Sequence, residues 1–332
     1  MKPAYWKTTL AEIDETMALV KKGTVSTLTT SAGGRPIPMV TYGPKQDFAR
    51  TANYNSACGA KDPTYYANKE GKKNVVLLVG GTHATEFEGI SALINLIKLI
   101  ETGSDYLGNA YDFANDIDAR LIIIPIFNVD GRARQPVDTL LGLENHKSRS
   151  YTLAEWKDGT VCSWPECKAH HPLDFDKMAH VGGYYNDAGV NFMHDDFFGE
   201  MQPETRALLG LVGEEAPDFT LLLHSGGDMA STPLQLSYVP MYIKEKIMEL
   251  SIKVKVAADA RGLRAGVDNL NDLRCAYPTQ SFNLTCAIHH MCGGMATTYE
   301  SESVASEAMY ERIMRMHYTL FEETFKLHRV EP

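Results

Sequence analysis

Short apolar runs alternate along this chain with longer stretches in which apolar residues recur every three or four positions. The runs are "NVVLLVGG" (74–81), "RLIIIPIF" (120–127), "DFTLLLHS" (218–225) and "GMATTYES" (294–301). Their length, β-branched content and flanking glycine or polar residues read as strands buried on both faces. Helical spacing follows the first run, with Phe87, Ile90, Leu93, Ile94, Ile97 and Ile100 leading up to Gly103. It returns in Ile243, Ile247, Leu250 and Val254 before Gly262, and in Met309, Ile313, Met316 and Leu320 near the C-terminus. These stripes are core-facing sides of helices. The opening predicts a helix over about 9–22, then two extended segments, "TVSTLTT" and "PIPMVTYG", joined by "SAGGR" as a hairpin.

Strands alternating with helices predict an α/β fold: a mixed, mostly parallel central sheet covered by helices on both faces. No repeat and no Pro/Gly/Ser-rich linker divides the chain, so residues 1–332 read as a single catalytic domain with an insertion-like segment at about 132–188. In such sheets ligands bind beyond the carboxyl ends of the strands. His83, Asn128, Asp130, His224 and Glu300 all fall at those ends.

Composition narrows the partners. Of 332 residues, 44% are hydrophobic and 22% charged, as in ordinary globular proteins, and the formal net charge of −10 disfavours nucleic acid. The apolar runs are too short for a bilayer-spanning helix, and the N-terminus lacks the apolar core of a signal peptide, so neither a membrane nor export is expected and the cytoplasm is the default. A peptide or small amide substrate fits better. Six cysteines are too sparse for a disulfide framework. Within "CSWPECKAHH" (162–171), Cys162 and Cys167 with His170 or His171 could hold a structural zinc, but a loop with buried thiols is the favoured reading.

"GGTHATEFEG" (80–89) places His83 and Glu86 three residues apart. That spacing alone says little, because 11 histidines and 42 acidic residues yield about 1.4 such pairs by chance, and His171/Asp174 and His328/Glu331 share it. Position at the strand ends says more. Hydrolytic zinc takes two neutral imidazoles and a carboxylate, leaving room for water, and His83, Glu86 and His224 supply that set. An ion held on such a set lowers the pKa of its water to about 7 and polarises a carbonyl oxygen. Glu300, at the mouth of a buried strand, is the candidate general base. Singly, each has an ordinary structural role available, Glu86 for example as a counter-charge to its helix dipole.

"GGTHATEFEG", "FNVDGRAR", "LLLHSGG" and "TTYES", in this order, resemble the zinc carboxypeptidase family, the carboxypeptidase A-like metallopeptidases. The resemblance spans nearly the whole chain and implies one catalytic Zn2+ on His83, Glu86 and His224, with Glu300 as general base and acid. It also implies substrate contacts near Asn128, from an arginine among Arg132, Arg134 and Arg149, with Arg134 preferred, and from a phenol for which Tyr277 is the candidate. One segment departs. The family commonly follows "GVD" with Asn-Arg, which grips a peptide's free carboxylate, whereas this chain reads "AGVNFMHDDFF" (188–198), with Met193 and His194 in those places. A mostly neutral histidine is a poor substitute for a bidentate guanidinium. The expected function is zinc-dependent hydrolysis of a peptide or amide bond. The alternatives are an amidase or deacylase acting on a small acylated amino acid or cell-wall peptide, and, with less support, a non-catalytic binding module.

Overall fold

The computed structural model describes residues 2–46, 59–61, 73–226, 231–268 and 282–328. Helix α1 (Leu10–Met17) opens with a capping box, Thr9 Oγ1 accepting from Glu12 N while Glu12 Oε2 accepts from Thr9 N. It stops earlier than its periodicity predicts, because the chain turns through Lys21–Gly23 into β1 (Thr24–Thr30). The predicted hairpin forms, with β1 antiparallel to β2 (Pro36–Tyr42).

The buried runs form the parallel centre. These are β3 (Asn74–Gly80), β4 (Ala119–Ile124), β7 (Phe219–Ser225) and β9 (Met295–Ser301). β4 ends before the predicted residue 127 because Pro125 has no N–H to continue the ladder. The sheet order is β1-β2-β4-β3-β7-β9-β8, where β8 is the two-residue strand Thr232–Pro233, antiparallel to β9. β2 is antiparallel to β4, so one face-covered parallel block carries an antiparallel strand at each margin.

One face packs α1, α2 (Phe87–Thr102), α6 (Met241–Ala260) and α8 (Met309–Phe325). On the other lie α5 (Pro203–Glu215) and α7 (Leu284–Cys292), which the apolar periodicity alone does not single out. Between β4 and α5 the chain adds α3 (Val129–Arg134), α4 (Asn145–Thr152) and a separate hairpin, β5 (Ala154–Trp156) with β6 (Met178–Val181). This region has its own small core of Leu153, Ala154, Cys162, Cys167, Leu173, Met178 and Tyr185. Among the described residues no helix is long and apolar enough to cross a membrane.

The helix α2 must sit very close to β7. A Cβ on Gly89 would lie 2.5 Å from Leu223 Cβ and 3.1 Å from Leu223 O. Alanine normally favours a helix over glycine by roughly 0.5–1 kcal/mol. Here Gly89→Ala is expected to destabilise by about 1–3 kcal/mol through overpacking. Chemical denaturation checks the sign: a variant as stable as the wild type would mean α2 can move off the sheet freely.

Candidate metal centre

Leu223 faces α2, so the next residue in β7, His224, points to the opposite face of the sheet. β7 and β9 are parallel with His224 opposite Glu300, which sets the two side chains next to each other on that same face. Thr298, two residues before Glu300, agrees with this parity, since its hydroxyl lies 3.0 Å from that of Thr285 in α7. Two buried strands therefore deliver an imidazole and a carboxyl to one spot.

The third strand delivers the rest. After β3 the chain turns at Gly81, φ +58°, and the backbone N–H groups of Phe127 and Asn128 donate to the carbonyls of Gly80 and Gly81, each at 2.9 Å. This ties the loops beyond β3 and β4 together. Glu86 occupies the residue before α2, yet its side chain makes no capping hydrogen bond. Its oxygens are taken instead by two imidazoles: Oε1 lies 2.8 Å from His83 Nδ1, and Oε2 lies 2.7 Å from His224 Nδ1. A carboxylate serving as dipole counter-charge would have turned toward its own helix; this one faces the histidines. Ser225 N also donates to Oε2, at 3.3 Å.

All three side chains are buried, and their potential ligand atoms lie within 4.8 Å of one another. Two nitrogens and a carboxylate converging in a buried site are the donor set that suits zinc, so these residues fit the ion. Burial alone would raise Glu86, but the charges and hydrogen bonds of His83 and His224 outweigh it and hold the carboxyl down at about 2. Burial dominates at His83 and lowers it, while at His224 the Glu86 carboxylate overcomes burial and raises it. Glu300 is pushed up to about 7, first by burial and then by the Glu86 charge, with His224 opposing.

Contacts invisible in the sequence complete the centre. Tyr184 stacks on His83, with ring centroids 3.6 Å apart and planes 11° from parallel. Asn191 Oδ1 lies 3.2 Å from His83 Nε2. Neither stands in a recognisable metal motif; 101 and 108 residues separate them from His83, as the numbering shows. The one sequence signal was that Asn191 belongs to the divergent "AGVNFMHDDFF" segment.

The substrate-contact candidates fare differently. Asn128 is consumed structurally: Oδ1 accepts from Gly131 N at 2.8 Å, and Nδ2 donates to Gly183 O at 3.0 Å. Arg134 is a strut, donating to Tyr185 O at 2.5 Å and Gly182 O at 3.3 Å and pairing with Asp187. Arg132 lies over the Phe87 ring and donates to Gln135 O and Val137 O, while Arg149 is exposed and donates to Ser163 Oγ. The loop geometry explains this use of cations, since residues 181–187 present carbonyls that need donors. Asp130 is likewise architectural, its carboxylate accepting from Ser31 Oγ, Gly33 N and Arg35 Nη1. Tyr277 lies outside the described residues.

Met193 is buried, and His194 is half-buried. Burial pushes His194 down to about 3, helped by Lys168 and by His83, so it is neutral at physiological pH. The structural-zinc reading does not assemble. Cys162 and Cys167 sit in the small apolar core, where burial raises both thiols, Cys167 to about 11. His170 packs edge-on against Trp156, and His171 Nε2 accepts a hydrogen bond from Asn191 N at 2.7 Å. Among the described residues only His83, Glu86 and His224 form a cluster of this kind that could hold a metal.

A helix-covered parallel sheet gathers two imidazoles and a carboxylate at its strand ends, with a second carboxyl beside them, which defines an α/β domain with a candidate zinc site. The zinc carboxypeptidase family model matches residues 11–321, and the chain belongs to that family. No curated protein sequence matches it significantly. Solved structures share the fold at low identity. A metallo-carboxypeptidase from Burkholderia cenocepacia is 14% identical with a TM-score of 0.55, covering 95% of this chain and 66% of that one. Carboxypeptidase A from Helicoverpa armigera is 16% identical with a TM-score of 0.56, covering 97% and 73%. Bovine thrombin-activatable fibrinolysis inhibitor, in complex with tick carboxypeptidase inhibitor, is 12% identical with a TM-score of 0.57, covering 97% and 98%. The chain spans just under two thirds of the length of the Burkholderia protein.

Proposed function

We propose that this domain is a zinc-dependent hydrolase of peptide or amide bonds, with His83, Glu86 and His224 as the metal ligands and Glu300 as general base and acid. The observation that carries the reading is the convergence of both Nδ1 atoms on the two oxygens of Glu86, with Glu300 next to His224 across the β7–β9 pair. A zinc ion held there would supply Lewis-acid polarisation of the scissile carbonyl and a water whose pKa falls to about 7. Glu300 takes the proton of the attacking water and returns it to the leaving nitrogen, a role its place beside His224 suits. Glu86, ionised by its two imidazole partners, contributes charge to the centre and no proton transfer.

The substrate end is read from His194. With a neutral imidazole and a buried Met193 where the family commonly has Asn-Arg, this segment offers no charged fork to a free C-terminal carboxylate. That favours an amide or blocked-peptide substrate, the amidase-like branch, over strict C-terminal exopeptidase action. Metal analysis of the purified protein, joined to a hydrolysis screen with paired substrates ending in a free acid or an amide, tests both parts. A carboxylate reader should prefer the acid by at least about tenfold, the value of one good charged hydrogen bond. The expected result here is a difference of less than about threefold. Strong preference for the acid would place a cationic anchor elsewhere, with Arg264 the first to test.

A further inference from the structure

His83 can offer Nδ1 to a metal only if its proton sits on Nε2, and the neighbouring loop supplies an acceptor for that proton. Asn191 caps the 3-10 turn at 192–194, with Oδ1 accepting from Met193 N at 3.0 Å. That bond identifies which end of the amide is oxygen. The same Oδ1 lies 3.2 Å from His83 Nε2, so an Nε2–H can donate to it once Nδ1, which in the metal-free site faces Glu86 Oε1 at 2.8 Å, gives its lone pair to a metal. Asn191 is itself seated from behind, because its backbone N–H donates to His171 Nε2 at 2.7 Å. Asn191 is buried, and its Nδ2 has no partner, so Oδ1 alone holds the amide in register.

A metal-bound imidazole almost always donates its second N–H to a carboxylate, a carbonyl or water, and a charged acceptor makes the ring a stronger ligand. At this centre the acceptor is neutral. We infer that Asn191 is a positioning residue for His83, seated by His171, and that its neutral amide makes the centre hold its metal less tightly than a carboxylate in the same place would. This rests on the proposed zinc site. A weaker ligand field from His83 leaves the ion more electron-poor, which favours polarisation of a carbonyl over tight retention.

The test reads zinc affinity, by competition with a chromogenic chelator above the imidazole titration range, alongside the thermal midpoint of the metal-free protein. Asn191→Asp keeps the acceptor for Met193 N and adds charge; it is expected to bind zinc at least about fivefold tighter. Asn191→Leu removes the acceptor and is expected to bind about ten- to a hundredfold weaker. His171→Ala should weaken binding in the same direction, and the double variant His171→Ala/Asn191→Leu should be no weaker than Asn191→Leu alone, because His171 acts through Asn191. A purely structural role would lower the metal-free midpoint without the gain in Asn191→Asp. If Asn191→Leu does not fold, Asn191→Asp decides. Zinc affinity within twofold of wild type in Asn191→Asp overturns the inference while leaving the zinc site standing. A wild-type protein that takes up no zinc overturns both.

Discussion

Glu300→Gln is expected to retain the metal and to lower turnover by about a hundredfold or more, the usual cost of removing a general base. The substitution preserves shape at a half-buried position between β8 and β7 and removes only the proton acceptor. It also has a consequence for stability with the opposite sign. In the metal-free protein the Glu300 carboxyl is raised to about 7 in the folded state, above its ordinary value of 4.5. The folded state then binds the proton more tightly than the unfolded state, so stability falls as pH rises from about 4.5 through 7. The loss is on the order of a few kcal/mol at most, since a pKa unit is worth about 1.4 kcal/mol. Metal-free Glu300→Gln should therefore lose less stability than the wild type between pH 5 and 8, while being nearly inactive when zinc is supplied. Denaturation midpoints at two pH values, with single-turnover assays on a verified substrate, separate the two effects. Near-normal turnover would move the base role to another residue, Glu302 first, although Glu302 is already paired with Arg312 at 2.9 Å.

His83→Ala and His224→Ala are each expected to reduce bound zinc from one per chain to below about a tenth, because each removes one of three protein donors from the proposed site. The core does not depend on either imidazole: β3, β4, β7 and β9 bury aliphatic side chains along nearly their whole length. The fold should survive, as far-UV circular dichroism would report. The metal-free variants should still lose stability, because Glu86 stays buried and surrenders one of two imidazole partners. Breaking a buried pair by removing one member costs about 3–5 kcal/mol as an upper range. His224→Ala is expected to be the more costly, since Glu86 raises the His224 pKa whereas His83 is lowered by burial. Full zinc retention in both variants would remove these residues from the ligand set.

Much of this protein was legible in its amino-acid order, for a physical reason that differs between the fold and the site. The four buried strands and the helices α2, α6 and α8 follow from periodicity, a local property: side chains repeat every two or 3.6 residues whatever the rest of the chain does. α5 and α7 were not legible, since α5 buries Glu204, Thr205 and Glu215 along with its leucines and so carries no purely apolar stripe, and α7 is short and buried on most sides, leaving little contrast to detect. The strand-end positions of His83, His224 and Glu300 were likewise readable, because a parallel sheet sends every strand's carboxyl end to the same side.

Sequence could not say that His224 and Glu300 lie directly opposite each other, which depends on the register between β7 and β9. A slip of one residue would have sent one of them to the α2 face. Nor could it show that Arg134 and Asn128 are tied into the fold: both carry chemistry suited to a substrate, and only the loop at 181–187, folded back over them, shows the hydrogen bonds they make to the chain. The same loop brings Tyr184 onto His83, and the turn after it brings Asn191. Residue types and periodicity determined the α/β class, the strand ends and the candidates for the metal-binding groups. The tertiary structure alone decided which polar side chains remain available for chemistry, because that depends on partners that are distant in the chain and close in space.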